Sequence, residues 1–258
     1  MNNVNKTLYI PLYGKAYVSH KGIILIDKKA EDIWNKEQFD LKGKSKNKYL
    51  AYYMAMRSYV FDQWLKDIVE DNDIILHVGC GMDSRCLRVN LPNQWYDVDF
   101  KEVIIERKNY YQETETYHMV EGDIRKSDWL SYIPKGNVIV LLEGISMYVQ
   151  NDELKEFFDR LSEYFEDVRI LMDCYSVFGA KASKYKNPIN DVGVTKVFGI
   201  DDPRCLETSN IVYIQEHVMT PKHKIDELEG IEKVLFKKLY AGNTASKIYK
   251  MYEFKKIV

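Results

Sequence analysis

Three acidic side chains follow short apolar runs at intervals along the chain: Asp99 ends WYDVD, Asp123 stands in EGDIR, and Glu143 stands in LLEGISMY. Upstream, the run IILHV leads into GCGMDSR, where Gly79 and Gly81 remove side chains from a turn. Glycines after a strand let backbone N–H groups approach a ligand, and they also serve simply to turn the chain. In open α/β sheets ligands bind outside the carboxyl ends of the strands, so acids at three successive strand ends converge on one crevice. So much negative charge repels a phosphate-rich dinucleotide and suits a cofactor that carries an ammonium group and a sulfonium. The glycine spacing agrees, because the third position of a dinucleotide fingerprint counted from Gly79 and Gly81 falls on Ser84. Asp99 lies about twenty residues beyond the turn, where a carboxylate accepts both ribose hydroxyls of an adenosine cofactor. Its alternative role is to cap the helix that begins at Lys101, and one carboxylate has lone pairs for both tasks.

The elements that must position these groups alternate between strand and helix from Asp73 onward. Apolar strands are expected at Ile74 to Val78, Trp95 to Val98, Tyr117 to Val120, Val138 to Leu142 and Val168 to Met172. Between them, helical stretches run from Phe100 to Tyr111, near Asp128 to Tyr132, and from Asp152, as N-cap, to Phe165. That order is the signature of βαβ units in a doubly wound parallel sheet. Two later strands, Asn210 to Met219 and Lys247 to Phe254, bring the count to seven, with the last placed antiparallel at an edge. The fold class is therefore α/β, a Rossmann-like, mostly parallel sheet of about seven strands with an antiparallel edge strand and an N-terminal helical cover.

Within that cover, Tyr49 to Glu70 repeats apolar residues at helical spacing, with Leu50, Met54, Phe61, Leu65 and Ile68 on one side. Arg57 falls on or beside this stripe, and burying its guanidinium is costly unless an anion meets it. The chain divides into one domain over 1–258: a helical extension at 1–70, a cofactor-binding core at 73–173, a segment at 175–200 that could cover the substrate, and completion of the sheet at 201–258. The lysine-rich run from Lys42 to Lys48 is expected to be a solvated loop.

A formal charge of -2 provides no global field to recruit nucleic acid or an anionic membrane, which points to a small-molecule partner. The longest apolar run, Val138 to Leu142, is far too short to span a bilayer, and MNNVNKTLYIPLYG lacks the order of a signal peptide, so a cytoplasmic location is expected. Four scattered cysteines, Cys80, Cys86, Cys174 and Cys205, and five histidines show no metal-ligand spacing, so no metal is expected.

Four segments together resemble the leucine carboxyl methyltransferase family, which also contains polyketide O-methyltransferases. They are TLYIPLYGKA with IILIDKKAEDI; the helix AMRSYVFDQWL; VGCGMDSR followed by WYDVDFKEVIIERK; and EGDIRKSDWL with LLEGISMYV. The resemblance implies S-adenosylmethionine as cofactor and S-adenosylhomocysteine as product. It implies that Arg57 holds the methionine carboxylate and that Gly79, with Gly81 in the same turn, admits the cofactor. Asp99 would bind the ribose, Asp123 with Ile124 the adenine, and Glu143 the methionine end. For Arg57 the competing expectation is an ion pair with Asp62, Asp83 or another acid of the chain.

Methyl transfer then requires in-line alignment with an acceptor oxygen, a proximity effect rather than covalent catalysis. A carboxylate acceptor is already ionised at neutral pH, whereas a hydroxyl needs a nearby base. Tyr13, Lys15, Tyr148 and Tyr175 are the candidates by position. The alternatives are an NAD(P)-dependent oxidoreductase, which Ser84 at the third glycine position weakens, and a cofactor-binding adapter without turnover.

Overall fold

The computed structural model describes residues 8–37, 46–186, 197–242 and 245–257. Among the described residues three N-terminal helices, α1 (Tyr9–Lys21), α2 (Lys28–Glu37) and α3 (Lys48–Ile68), precede the sheet. The Asn47 side chain accepts from the Tyr49 N–H and caps α3, satisfying one of the donors that a helix start leaves open. Gly14 lets α1 approach closely, since a Cβ there would stand 3.3 Å from both the Ala51 carbonyl and the Met54 Cβ. Positions 42–45 of the lysine-rich run lie outside the described residues.

Seven strands follow: β1 (Ile74–Val78), β2 (Trp95–Asp99), β3 (Tyr117–Glu121), β4 (Asn137–Leu142), β5 (Asp167–Tyr175), β6 (Ile211–Glu216) and β7 (Tyr249–Lys256). Their order is β3-β2-β1-β4-β5-β7-β6. Strands β1 to β5 are parallel, and β7 runs antiparallel to both β5 and β6. The last strand is thus antiparallel but lies one place in from the edge, which β6 occupies. The reason is packing: Met251, Tyr252, Glu253 and Phe254 are buried, whereas β6 ends in three exposed residues.

Strand order reverses between β1 and β4, so the crevice that open α/β sheets offer to ligands opens there. Side chains alternate between the two faces. Ile75, Ile139, Leu141 and Leu171 pack with Phe61 and Leu65 of α3, while Leu76, Val140 and Ile170 pack on the other face with Phe157 and Leu161. The latter two belong to α6 (Asn151–Tyr164), which follows α4 (Arg85–Val89) and α5 (Lys101–Arg107) in the chain. The start of α6 differs from the expectation. Gln150 is its cap residue, with the Glu153 carboxylate accepting from the Gln150 N–H at 2.9 Å, and Asp152 sits inside the first turn, where it complements the helix dipole. Likewise α5 ends four residues before Tyr111, whose ring lies under the Arg107 guanidinium at 4.0 Å.

The remaining helices are α7 (Val177–Lys186), α8 (Lys222–Asp226) and α9 (Gly230–Tyr240). Phe236 of α9 packs with Val18, Tyr52, Ala55 and Met56, which ties the C-terminal helix to the N-terminal ones. Among the described residues no helix is long and apolar enough to cross a membrane.

Candidate active site

A cavity of about 840 Å³ opens at the carboxyl ends of β1 to β4 and extends beneath α1, α3, α7 and α9. Arg57, Gly79, Gly81, Asp99, Asp123, Ile124 and Glu143 all line it. Lys15, Tyr148 and Tyr175 line it as well, but Tyr13 does not. Tyr13 stands two residues before Lys15 on α1, about 200° away around the helix. Its ring packs instead against Tyr17 and Trp34, at centroid distances of 5.8 and 5.0 Å.

The glycine turn is held by strand β2. Gly79 donates to the Val98 carbonyl at 2.7 Å with a φ of +69°, and a Cβ there would come within 2.2 Å of the Ile145 side chain. Any side chain at Gly79 therefore meets both strain and collision. Asp99 fixes the next glycine: its Oδ2 accepts from the Gly81 N–H and its Oδ1 from the Phe100 N–H, each at 2.8 Å. The cap position of α5 is Phe100, and no side chain caps that helix. Asp99 thus ties β2 to the glycine turn rather than capping α5, and burial pushes its carboxyl up against these two N–H bonds. Each oxygen retains a lone pair for a further donor.

Asp123 forms a two-pronged pair with Arg125, both contacts at 2.8 Å. Burial raises this carboxyl, but the Arg125 hydrogen bonds outweigh it and hold it below the usual range. A ligand amine at Asp123 would share the carboxylate with this guanidinium.

Arg57 is 3% exposed and meets acids of the chain, though neither Asp62 nor Asp83. Its Nε donates to Glu143 Oε1 at 3.0 Å and its Nη1 to Asp173 Oδ2 at 2.9 Å. Nη2 carries no described bond and faces Gly144, where a Cβ would lie 3.2 Å away. Asp62 pairs with Arg85 and Arg88, and Asp83 with Lys15 at 2.8 Å. Glu143 also accepts from Ser58 Oγ at 2.7 Å and from Arg85. Burial pushes the Glu143 carboxyl up, but Arg85 and Arg57 together bring it down to about 2.

Two further participants escape a reading of the sequence alone. Asp173, in the middle of the apolar strand run RILMDCY, is fully buried, and Tyr249 opens β7. Tyr249 donates to Asp173 Oδ2 and receives Arg57 Nη1 at 3.3 Å. No local signal marks either residue, because antiparallel pairing of β5 with β7 brings them together.

The lining fits S-adenosylmethionine. Among the described residues, the carboxylates Asp83, Asp99, Glu102, Asp123 and Glu143 outnumber the permanent cations Lys15, Arg57 and Arg125, which favours a ligand of net positive charge. The bare backbone at Gly79 supplies close approach, and Arg57 supplies a guanidinium for a carboxylate.

Comparison with known proteins agrees with this chemistry. The chain is 26% identical over 217 residues to the tetracenomycin polyketide synthesis O-methyltransferase TcmP of Streptomyces glaucescens, covering 81% of this chain and 79% of that protein. It is 28% identical over 186 residues to the S-adenosyl-L-methionine-dependent methyltransferase dpfgK of Gibberella zeae, covering 64% of this chain and 62% of the relative. In fold it matches the magnesium protoporphyrin IX methyltransferase of Synechocystis PCC 6803, solved with S-adenosylhomocysteine, at a TM-score of 0.54 and 10% identity, over 88% of this chain and 94% of that one. A geranyl diphosphate methyltransferase solved with S-adenosylmethionine matches at a TM-score of 0.52 and 13% identity, over 86% and 94% of the two chains. The family model for leucine carboxyl methyltransferases matches residues 8–162, more than half of the sequence, so the chain belongs to that family and is an S-adenosylmethionine-dependent methyltransferase.

Proposed function

We propose that the protein methylates an oxygen of a small-molecule acceptor, and that Arg57, Gly79, Gly81, Asp99, Asp123, Ile124 and Glu143 hold the cofactor. The observation that carries this is one cavity lined by all seven residues, with room left over beneath the helices. The cofactor, when bound, supplies an activated methyl group. The chain's part is to orient and enclose. Arg57 offers Nη2 to the methionine carboxylate, while Glu143 and Asp173 fix the guanidinium plane from its other edge. Asp99 accepts ribose hydroxyls on the lone pairs that Gly81 and Phe100 leave, and Ile124 presents an apolar face to the base.

Within one domain over 1–258, the helical extension at 1–70 and the segment at 175–200 are assigned to the cover over the acceptor; residues 1–7 and 38–45 of the extension lie outside the described set. Gly179, Ala182 and Ser183 of α7 line the cavity, which supports that role for the described part; residues 187–196 lie outside the described set. Tyr53, Tyr175, Tyr240 and Tyr249 line the cavity beside the cofactor residues, which favours an enzyme over an adapter that only binds cofactor. Relatives named as an O-methyltransferase of polyketide synthesis and as an S-adenosylmethionine-dependent methyltransferase support the same choice over an oxidoreductase.

Calorimetry is expected to give saturable heat with S-adenosylmethionine and S-adenosylhomocysteine, together with a rise in melting temperature. No heat and no thermal shift at millimolar cofactor would sink the proposal. Methyl transfer to a panel of phenols and aromatic acids then separates enzyme from adapter.

The Asp99 assignment has its own test. Asp99→Ala is expected to weaken S-adenosylhomocysteine and adenosine alike by roughly ten- to a hundredfold, the value of about 1.5 to 3 kcal/mol for hydrogen bonds to a charged group. Normal binding of both ligands by the variant would confine Asp99 to fixing the glycine turn.

A further inference from the structure

Helix α9 has two apolar faces. Phe236 packs inward with Val18, Tyr52, Ala55 and Met56, and Tyr240 stacks on Phe236 at 5.6 Å and leans on Tyr53 at 5.3 Å. A surface helix anchored in this way ordinarily turns polar residues outward. Here Ile231, Val234, Leu235 and Leu239 face out instead, and their helical spacing places them on one stripe. Ile231 is 79% exposed and Val234 65%, so the stripe is bare rather than half covered. Leu239, 55% exposed, belongs to the stripe and also lines the cavity, as does Tyr240 beside it.

Along the helix the outward charges have one sign. The only acid of α9, Glu232, turns toward α3, where it accepts from Lys48 Nζ at 2.6 Å and from the Tyr52 hydroxyl at 2.7 Å, with Lys21 Nζ 3.5 Å away. Its exposed charged side chains are Lys237 and Lys238. Lys233, half-buried, pairs with Asp226 at 2.8 Å, and Lys237 lies 4.0 Å from the same acid. Glu229 is exposed at the cap position, where its charge complements the helix dipole.

Another protein or a lipid interface could cover such a stripe, and composition separates the two. Protein interfaces are enriched in Tyr, Trp and Arg and depleted of Lys, and Leu and Val rarely anchor them. The exposed side chains of α9 are aliphatics and lysines. That composition suits a helix lying in the plane of a headgroup layer, with aliphatic residues in the acyl boundary and lysines reaching anionic phosphates over apolar stems. The formal charge of -2 does not oppose this, since charges more than about 8 Å away are screened at physiological salt.

We propose that α9 docks on an anionic lipid surface, with Ile231, Val234, Leu235 and Leu239 entering the acyl boundary and Lys237 and Lys238 meeting the headgroups. Docking in this way sets the part of the cavity lining at Leu239 against the lipid. It needs no helix that crosses the bilayer. The inward contacts of Phe236 and Glu232 are left as they are, so the helix docks without leaving the fold.

The test mixes the full chain with vesicles of equal parts phosphatidylglycerol and phosphatidylcholine, or of phosphatidylcholine alone, and reads the bound fraction by cosedimentation. The wild type is expected to bind the anionic vesicles at least about tenfold more tightly than the neutral ones, and to lose most of that advantage as added KCl shortens the screening length. Ile231→Ser combined with Val234→Ser is expected to weaken binding to anionic vesicles by at least about tenfold, through lost apolar burial. Lys237→Glu combined with Lys238→Glu should weaken it by at least about twentyfold, at about fivefold for each lysine lost from an anionic surface. Both variants change exposed side chains outside the cavity lining, so they should melt within about 3 °C of the wild type. Equal binding to both kinds of vesicle, undiminished binding by either variant, or no binding to any vesicle overturns the inference. Absence of vesicle binding together with a concentration-dependent dimer that the Ile231→Ser, Val234→Ser variant loses, read by light scattering, would assign the face to a second copy of the chain instead.

Discussion

Replacing Arg57 with alanine is expected to weaken S-adenosylhomocysteine binding by roughly thirty- to several-thousandfold, about 2 to 5 kcal/mol, the range for truncating one partner of a buried charge pair. Two losses combine in that figure. The variant lacks the Nη2 arm that faces Gly144 and the cavity, and it leaves Glu143 and Asp173 without the guanidinium between them. The second loss also acts on the fold, so the melting temperature should fall. Glu143 keeps Arg85, which limits the damage. Adenosine separates the two effects, because it has ribose and base but no carboxylate. Its affinity should change little in Arg57→Ala if the arginine clamps the carboxylate; equal loss of adenosine and S-adenosylhomocysteine would mean general collapse of the site. Arg57→Lys should recover only part of the affinity, because an ammonium cannot span Glu143, Asp173 and a ligand as a planar fork does.

The same arginine shows how far sequence can go. Its place on the buried stripe of an amphipathic helix requires an anion, and the structure supplies two, Glu143 just after β4 and Asp173 within β5, 86 and 116 residues downstream. Helical periodicity reports that a charge is buried but carries no information on which acid meets it. Hence Asp62 and Asp83 are close in sequence yet belong to Arg85, Arg88 and Lys15. The parallel strands are legible for the opposite reason. A strand covered on both faces reads as a near-continuous apolar run, and IILHV, interrupted only by His77, coincides with β1 residue for residue. At the C-terminal side alternation marks a strand but not its neighbours, so β7 reads as an edge strand although β6 takes that place. Tyr249 and Asp173 stay invisible for the same cause: each looks like an ordinary strand residue until β5 pairs with β7.

Glu143→Gln is expected to destabilise the fold by about 3 to 5 kcal/mol at neutral pH, the usual consequence of removing one partner from a buried ion pair. The carboxylate accepts from Arg57 Nε, Ser58 Oγ and Arg85, and an amide can offer these donors only one oxygen while turning an N–H2 toward the others. The pH dependence follows from the same contacts. Burial alone would raise the carboxyl, but Arg85 and Arg57 bring it from 4.5 to about 2 in the folded protein. A depressed folded value means that the unfolded chain binds the proton first as pH falls. The stabilisation is therefore complete above about pH 5 and is lost progressively toward pH 2, and its full size, at about 1.4 kcal/mol per pKa unit, is about 3 kcal/mol. Asp83, held low by Lys15, Arg85 and Arg88, loses its own contribution in the same acid range and does so in both proteins. Urea unfolding of wild type and variant should thus show a gap of about 3 kcal/mol or more at pH 7 that narrows steadily below about pH 5. A gap that stays constant into acid would place the cost in packing around the amide rather than in the charge that Arg57 and Arg85 share.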